Sequence, residues 1–334
     1  MRAAIFHGAG RPLSVEVIDD PEPGPGEVVI KVHRCGICGT DLHLTSGHAW
    51  DFPTGSVLGH EYAGEVVELG AGVSNLKKGD LITALPSRGC GQCEACLTGN
   101  FPLCSNGAMV LGGFGEYLRA PAHVAIKLPR VYTAADGALI EPFAVGLYGV
   151  RQAQLKPGDK VLVLGGGFVA LSTIYWAKRL GASRIVAVSR SQRRAEKALA
   201  MGADAFIQSS DNEVAEAAEA LGGAPDIVFE CVGVTGFLAK ALNHVKTLGK
   251  IAAMGFCTEP DPLMPALAGM KGVQIIFPVG YTLRDFQYAA DVLHDGGFDP
   301  ASLITSVVTL DELPAAFEAL RGPNNDTRTQ VKIA

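Results

Sequence analysis

Residues 160–170 read KVLVLGGGFVA. An apolar run ends in three glycines, and the segment that follows, ALSTIYWAKRLG at 170–181, has the make-up of a buried helix. Gly165, Gly167 and Ala170 fall at G-x-G-x-x-G/A spacing. A second apolar run, RIVAVS, ends at Ser189, 24 residues after Gly165. In a strand–turn–helix–strand unit each small residue has a task. Gly165 permits the tight turn. Gly167 lets a pyrophosphate approach the backbone at a helix N-terminus, and Ala170 lets the helix lie close to its strand.

The same texture continues downstream. DIVFECVG (226–233) and GKIAAMG (249–255) read as buried strands, and RRAEKALAMG (193–202) reads as a helix. Alternation of this kind predicts a parallel sheet with crossover helices. Upstream, residues 1–140 hold short strand-like runs such as EVVIKV (27–32) and AGEVVEL (63–69) between Gly/Pro turns, the pattern of an irregular, mostly β domain. The tail offers two amphipathic helices, LRDFQYAADVLHDG (283–296) and LDELPAAFEALRG (310–322), and a last strand, QVKIA (330–334), expected to pack back onto the first domain. The expected organisation is α/β: a mostly β domain over 1–143, a doubly wound parallel sheet over 144–282, and a return to the first domain over 283–334.

Length and charge bound the function. The 334 residues suffice for two domains with real cores. The formal net charge of -6 disfavours a polyanion-binding protein, so no nucleic-acid partner is expected. No apolar run is long enough for a bilayer, and the N-terminal MRAAIFHGAGRPLSVEV lacks a signal-peptide core, reading instead as a strand and a turn. A cytoplasmic location is expected, where eight cysteines serve as thiols or metal ligands rather than disulfides.

Two constellations follow from those cysteines. CGQCEACLTGNFPLC presents Cys90, Cys93, Cys96 and Cys104. Four thiolates close a tetrahedral zinc site and leave no position for substrate, so this site is structural. Iron–sulfur ligation fits less well, since its common run has three residues before the fourth cysteine and this one has seven. The other constellation is dispersed: Cys38, Thr40, Asp41 and His43 in CGICGTDLH, His60 and Glu61 in GHEYAGEV, and Glu141 in IEPFAVG. A thiolate, an imidazole and one or two carboxylates can hold zinc with a position open, although spacing alone does not bring them together.

The strand at 184–189 ends in Ser189-Arg190, within VAVSRSQRR. At this place an acid would bind the adenosine ribose diol of NAD(H) and repel a 2′-phosphate. Serine with arginine reverses that field: Arg190 can hold a phosphate through two parallel hydrogen bonds, Ser189 and Ser191 can donate, and Arg193 and Arg194 add positive charge. The expectation is NADP(H) rather than NAD(H).

Taken in order, GICGTDLH, GHEYAGEV, the four-cysteine lobe, GGFGEYL, EPFAVG and the nucleotide turn resemble the zinc-containing medium-chain alcohol dehydrogenases, close to the sorbitol, butanediol and threonine dehydrogenase branch. The resemblance runs through essentially the whole chain. It implies a GroES-like catalytic domain, a Rossmann domain and a central cleft between them. It implies two zinc ions per chain, the catalytic one on Cys38, His60 and Glu141, with Glu61 adjacent and exchanging and Asp41 orienting His60. Cys35 falls outside the ligand pattern and is read as structural. Many relatives have a cysteine where Glu141 stands, which leaves open whether Glu61 or a water completes the sphere.

By the same resemblance, protons travel from the substrate hydroxyl through Thr40 and the cofactor's nicotinamide ribose to His43. The cofactor site would include Phe168, Val169, Cys231 and Gly255 beside the glycine turn and the Ser189–Arg194 segment, with Arg328 reaching the pyrophosphate. The implied activity is hydride transfer between a secondary alcohol, or its ketone, and NADP(H). The competing readings are an NAD-dependent polyol or diol dehydrogenase, a zinc-free quinone or enone reductase, and an inactive zinc-binding scaffold. Trp50, Phe52, Phe101, Phe114 and Phe256 are candidates for an apolar substrate pocket. The apolar VQIIFPVG (273–280) predicts pairing between copies, giving a homodimer or homotetramer.

Overall fold

The computed structural model describes residues 1–47, 52–295, 297–322 and 324–334. It divides into two units, one of Met1–Glu141 with Thr282–Ala334, the other Pro142–Tyr281. The second unit holds six parallel strands: Lys160–Leu164, Arg184–Ser189, Ala205–Gln208, Ile227–Glu230, Lys250–Ala253 and Gln274–Ile276. Counted in chain order, they lie side by side as 3-2-1-4-5-6. Right-handed crossovers to either side of the first strand require helices on both faces, so this is a doubly wound sheet. Its interior is aliphatic, with Leu162, Leu164, Val186, Val188, Val228 and Ile251 within one cluster.

The third strand escaped the sequence reading. AFIQ is four residues long, sits at the sheet edge and is only half-buried, so it lacks the apolar run that marked its neighbours. The run at 273–280 yields a strand over Gln274–Ile276 alone; Pro278 has no N–H to continue the ladder.

The first unit is mostly β. Its largest sheet is seven-stranded, and Glu27–Gly36 is its hub, pairing with Glu61–Leu69, Tyr117–Pro121 and Thr329–Lys332. The hub's pairing with Glu61–Leu69 shifts register at Val29/Ile30 and at Val32/Arg34. The tail helices form over Leu283–Val292 and Leu313–Ala319. The closing strand then pairs with the hub, Val331 opposite Cys35 and Gln330 opposite Gly36. Val28, Ile30, Val32, Tyr62, Ile82, Phe114, Phe317 and Val331 pack beneath it.

Helix Ala134–Gln152 carries the chain from the first unit into the second, with Pro142 inside it. Among the described residues no helix is long and apolar enough to cross a membrane.

Candidate metal centres and nucleotide turn

The register of the hub strand assembles the first site. Gly36 lies opposite Glu61 on one side and Gln330 on the other. Three neighbouring strands therefore deliver Cys38, His60–Glu61 and Arg328 to the same end of the sheet. The approach is close: a Cβ on Gly36 would stand 2.0 Å from Glu61 Oε2. Ligand atoms of Cys38, His60 and Glu61 all fall within 4.8 Å of one another. Glu141 is buried, and its charge acts on Arg328, but it is not within that distance of all three.

The surroundings are built for positive charge. Asp41 accepts from the Cys38 and Gly59 backbone N–H groups at 3.0 and 3.3 Å, and its Oδ1 lies 3.3 Å from His60 Nδ1. That last contact is an ion-pair distance without hydrogen-bond alignment, so His60 Nδ1 is buried without a full partner. Burial by itself disfavours protonated His60, yet the charges of Asp41 and Cys38 overcome it and push its pKa well up. Burial also pushes the Glu61 carboxyl up, and Arg328 opposes this. Arg328 Nη1 donates to Glu61 Oε1 at 2.8 Å and to Ile37 O at 2.8 Å. Glu61 Oε2 also lies 2.8 Å from Arg328 Nη1, an ion-pair contact without hydrogen-bond alignment. Arg328, expected at a pyrophosphate, is thus buried on Glu61, a partner 267 residues away that no sequence spacing could have announced.

Thr40 and His43 stand on the short helix Gly39–Leu44 that follows Cys38. Cys38 Sγ is 3.6 Å from Thr40 Oγ1. His43 is half-buried; burial, and then the charge of Arg321, hold its imidazole below the usual range. Cys35 is fully buried, where a Cβ on Gly59 or Gly113 would come within 3 Å of its sulfur, and burial pushes its thiol far up.

In the second site the sulfurs of Cys90, Cys93, Cys96 and Cys104 also lie within 4.8 Å of one another, and none forms a disulfide. The Gln92 and Cys93 backbone N–H groups draw the Cys90 thiol down to about 6, while burial lifts Cys96 to about 11. Four sulfurs gathered this way, one already favouring the thiolate, fit a tetrahedral cation.

In the second unit Gly165 adopts φ +118°, and a side chain there would press on Cys231 O and Val232 at 3.2 Å. Gly167 is the N-cap of helix Phe168–Arg179, with open space where its Cβ would be. Phe168 is buried, so only its backbone can meet a ligand; Val169 is half-buried. Ser189 ends its strand beside this turn: a Cβ on Gly166 would find Ser189 Oγ at 3.5 Å and Arg194 Cβ at 3.6 Å. Arg190 is exposed and Ser191 half-buried, and Gln208 Nε2 donates to Arg190 O at 3.3 Å. Cys231 follows the fourth strand, with its sulfur 4.0 Å from Thr173 Oγ1. Gly255 packs on Gly233 so tightly that a Cβ would lie 2.1 Å from the Gly233 nitrogen.

The aromatic candidates scatter. Phe114 is wholly buried against Phe317, with ring centroids 6.4 Å apart, and belongs to the core rather than to a pocket. Phe52 packs on Phe6, and Phe101 on His123. Phe256 belongs to the second unit and is 40% exposed. Trp50 lies outside the described residues.

Comparison with known proteins agrees with this geometry. Residues 24–130 match the alcohol dehydrogenase GroES-like domain, and residues 169–295 match the zinc-binding dehydrogenase domain. The chain is 35% identical to (R,R)-butanediol dehydrogenase of Bacillus subtilis strain 168, over 100% of this chain and 99% of that one. Among solved structures, a zinc-binding dehydrogenase from Sinorhizobium meliloti 1021 bound to NADP superposes with a TM-score of 0.90 at 30% identity, covering 99% of this chain and 98% of that one. A short chain alcohol dehydrogenase from Escherichia coli CFT073 complexed with NADH gives 0.90 at 27%, covering 100% and 99%. The chain therefore belongs to the zinc-containing medium-chain dehydrogenase/reductase family, in the branch of the sorbitol and butanediol dehydrogenases.

Proposed function

We propose that this protein is an NADP(H)-preferring, zinc-dependent alcohol dehydrogenase that oxidises a secondary alcohol or reduces the matching ketone, and that it works in the cytoplasm. The observation that carries the zinc chemistry is the convergence of Cys38, His60 and Glu61 within 4.8 Å: a thiol, an imidazole and a carboxylate, the last two buried, make a donor set that suits zinc. Cys38, His60 and Glu61 would hold the ion, and Glu141 is the further carboxylate available to it. Bound there, zinc would supply Lewis-acid polarisation of the substrate oxygen, and a nicotinamide cofactor would supply the redox equivalent.

The chain's own residues do the rest. Asp41 fixes the orientation of His60 from behind. Thr40, beside Cys38, takes up the substrate's hydroxyl proton, and His43 on the next turn carries protons toward solvent. Arg328 offsets the charge of Glu61. The four-cysteine lobe would hold a second, structural zinc.

NADP(H) is favoured by what surrounds the glycine turn: Ser189 where an acid would repel the phosphate, an exposed Arg190, and Arg194 beside Gly166. The butanediol and sorbitol dehydrogenase relatives favour a second reading, a diol or polyol substrate, and the NADH-bound relative favours NAD(H) with it. Zinc analysis with a panel of alcohols and ketones, each run with both cofactors, separates the two. Oxidation of secondary alcohols with NADP+, or reduction of the matching ketones with NADPH, and two zincs per chain supports the proposal. Oxidation of diols with NAD+ alone, and none with NADP+, replaces it.

A further inference from the structure

Arg321 lies near the end of the chain, yet it reaches the helix that carries Thr40, Asp41 and His43. Its Nη1 donates to Leu42 O at 2.9 Å and its Nη2 to Thr45 Oγ1 at 2.7 Å. The Thr45 hydroxyl is buried and donates in turn to Asp41 O at 2.8 Å. Asp41 holds the Cys38 and Gly59 backbone and faces His60. One guanidinium thereby ties down the C-terminal end of a helix with fewer than two turns, which has little stability of its own. A cation at helix C-terminal carbonyls is also favourably placed against the helix dipole. Arg321 is held from its own side by Glu318, 3.0 Å from its Nε, and by the ring of Phe317 at 5.3 Å.

The same group acts on His43. Arg321 is the charge that holds the imidazole down once burial has been counted. The other charged side chains on the two helices involved are Glu318 of Leu313–Ala319, which pairs with Arg321, and Asp41 of Gly39–Leu44, which is turned onto Cys38, Gly59 and His60.

We infer that Arg321 is a positioning residue for proton transfer: it locks the Gly39–Leu44 helix in place and keeps a positive charge beside the His43 imidazole. This rests on the reading of His43 as the proton carrier. The geometry joins two requirements in one side chain. The helix must hold Thr40 and His43 steady, because misplacement of about 1 Å at such a step costs as much as 100-fold in rate. The imidazole must also be neutral to accept a proton, and a neighbouring cation favours that form.

The test compares wild type with His43→Gln, Arg321→Gln, Arg321→Lys and Thr45→Val. Two readouts are used: kcat for alcohol oxidation against pH, and the His43 ring titration followed by NMR in histidine-labelled protein, assigned by its absence in His43→Gln. Losing the Arg321 charge should raise the imidazole pKa, so Arg321→Gln should move both the NMR midpoint and the acid limb of kcat to higher pH. It should also lower plateau kcat by about 3- to 30-fold with little change in cofactor KM. Arg321→Lys keeps the charge but not the fork, so kcat should fall with the limb unmoved. Thr45→Val should do the same. If His43→Gln keeps the wild-type limb, the proton-carrier reading fails. If His43→Gln loses the limb but Arg321→Gln shifts neither readout, the inference about Arg321 alone is overturned. Should Arg321→Gln not fold, wild-type kcat in both Arg321→Lys and Thr45→Val would overturn it, and reduced kcat at unchanged cofactor KM would support it.

Discussion

Arg328 and Glu61 form an ion pair 2.8 Å long in which neither side chain is more than 6% exposed. It joins the first residues of one core strand to the chain just before the last, across 267 residues of sequence. Removing one partner of such a pair strands the other charge in a low-dielectric interior. Arg328→Met should therefore cost about 3–5 kcal/mol of stability. Adding Glu61→Gln to it should restore part of the loss. Chemical denaturation of the three proteins checks this, and an Arg328→Met protein as stable as wild type would contradict it.

The lobe at 90–104 has little apolar core to hold it, with Leu97 and Leu103 exposed. Its four sulfurs should bind zinc structurally. Cys93→Ser should lower the melting temperature by several degrees or abolish soluble yield, and Cys38→Ser should leave a folded protein without turnover. Metal analysis should find two zincs per wild-type chain and one in each variant. A Cys93→Ser protein as stable as wild type would sink the assignment.

Strand Gln274–Ile276 is the last in its sheet, and Phe277 and Val279 just beyond it are 64% and 49% exposed. An apolar sheet edge is an aggregation hazard unless it is covered. A second copy of the chain is the expected cover, in a dimer or a tetramer of dimers. Light scattering at micromolar concentration should report an oligomer for wild type and a smaller species for Phe277→Asp. A monomeric wild type would rule this out.

Leu248 adopts φ +60° in the turn before strand Lys250–Ala253 and is 78% exposed. An L-residue with a side chain pays roughly 1–2 kcal/mol in that left-handed region, and glycine avoids it. Leu248→Gly gives back part of this through a more flexible unfolded chain, so a net gain of about 0.5–1 kcal/mol is expected. Thermal unfolding decides the sign, and a lower melting temperature would show that the Leu248 side chain makes contacts worth more than the strain.

The sequence announced whatever rests on local spacing. Gly165, Gly167 and Ala170 sit on one turn, and four of the parallel strands carry unbroken apolar runs. The four cysteines of the lobe lie within one short loop, so their convergence needs no long-range folding. Cys38 and His60–Glu61 were legible as residue types, and their meeting depended on the register of two strands around Gly36. What stayed hidden was held by distant partners or weak patterns. Arg328 and Arg321 find their acceptors 267 and 279 residues away. The edge strand at Ala205–Gln208 has no apolar run. Phe114 looked like a pocket residue because burial in the core and exposure to a ligand select the same side chain.

The proposed cofactor preference rests on Ser189, Arg190 and Arg194, which would separate NADP(H) from NAD(H). The deciding measurement is kcat/KM for NADPH and NADH on one ketone, for wild type, Arg190→Ala and the double change Ser189→Asp with Arg190→Ala. Charge-assisted hydrogen bonds are worth about 1.5–3 kcal/mol each. Losing Arg190 should therefore weaken use of NADPH by about 10- to 100-fold. NADH has no phosphate to lose and should change little, while the double change should turn the preference toward NADH. Wild-type preference for NADH, or an Arg190→Ala enzyme that loses both cofactors equally, would contradict the account.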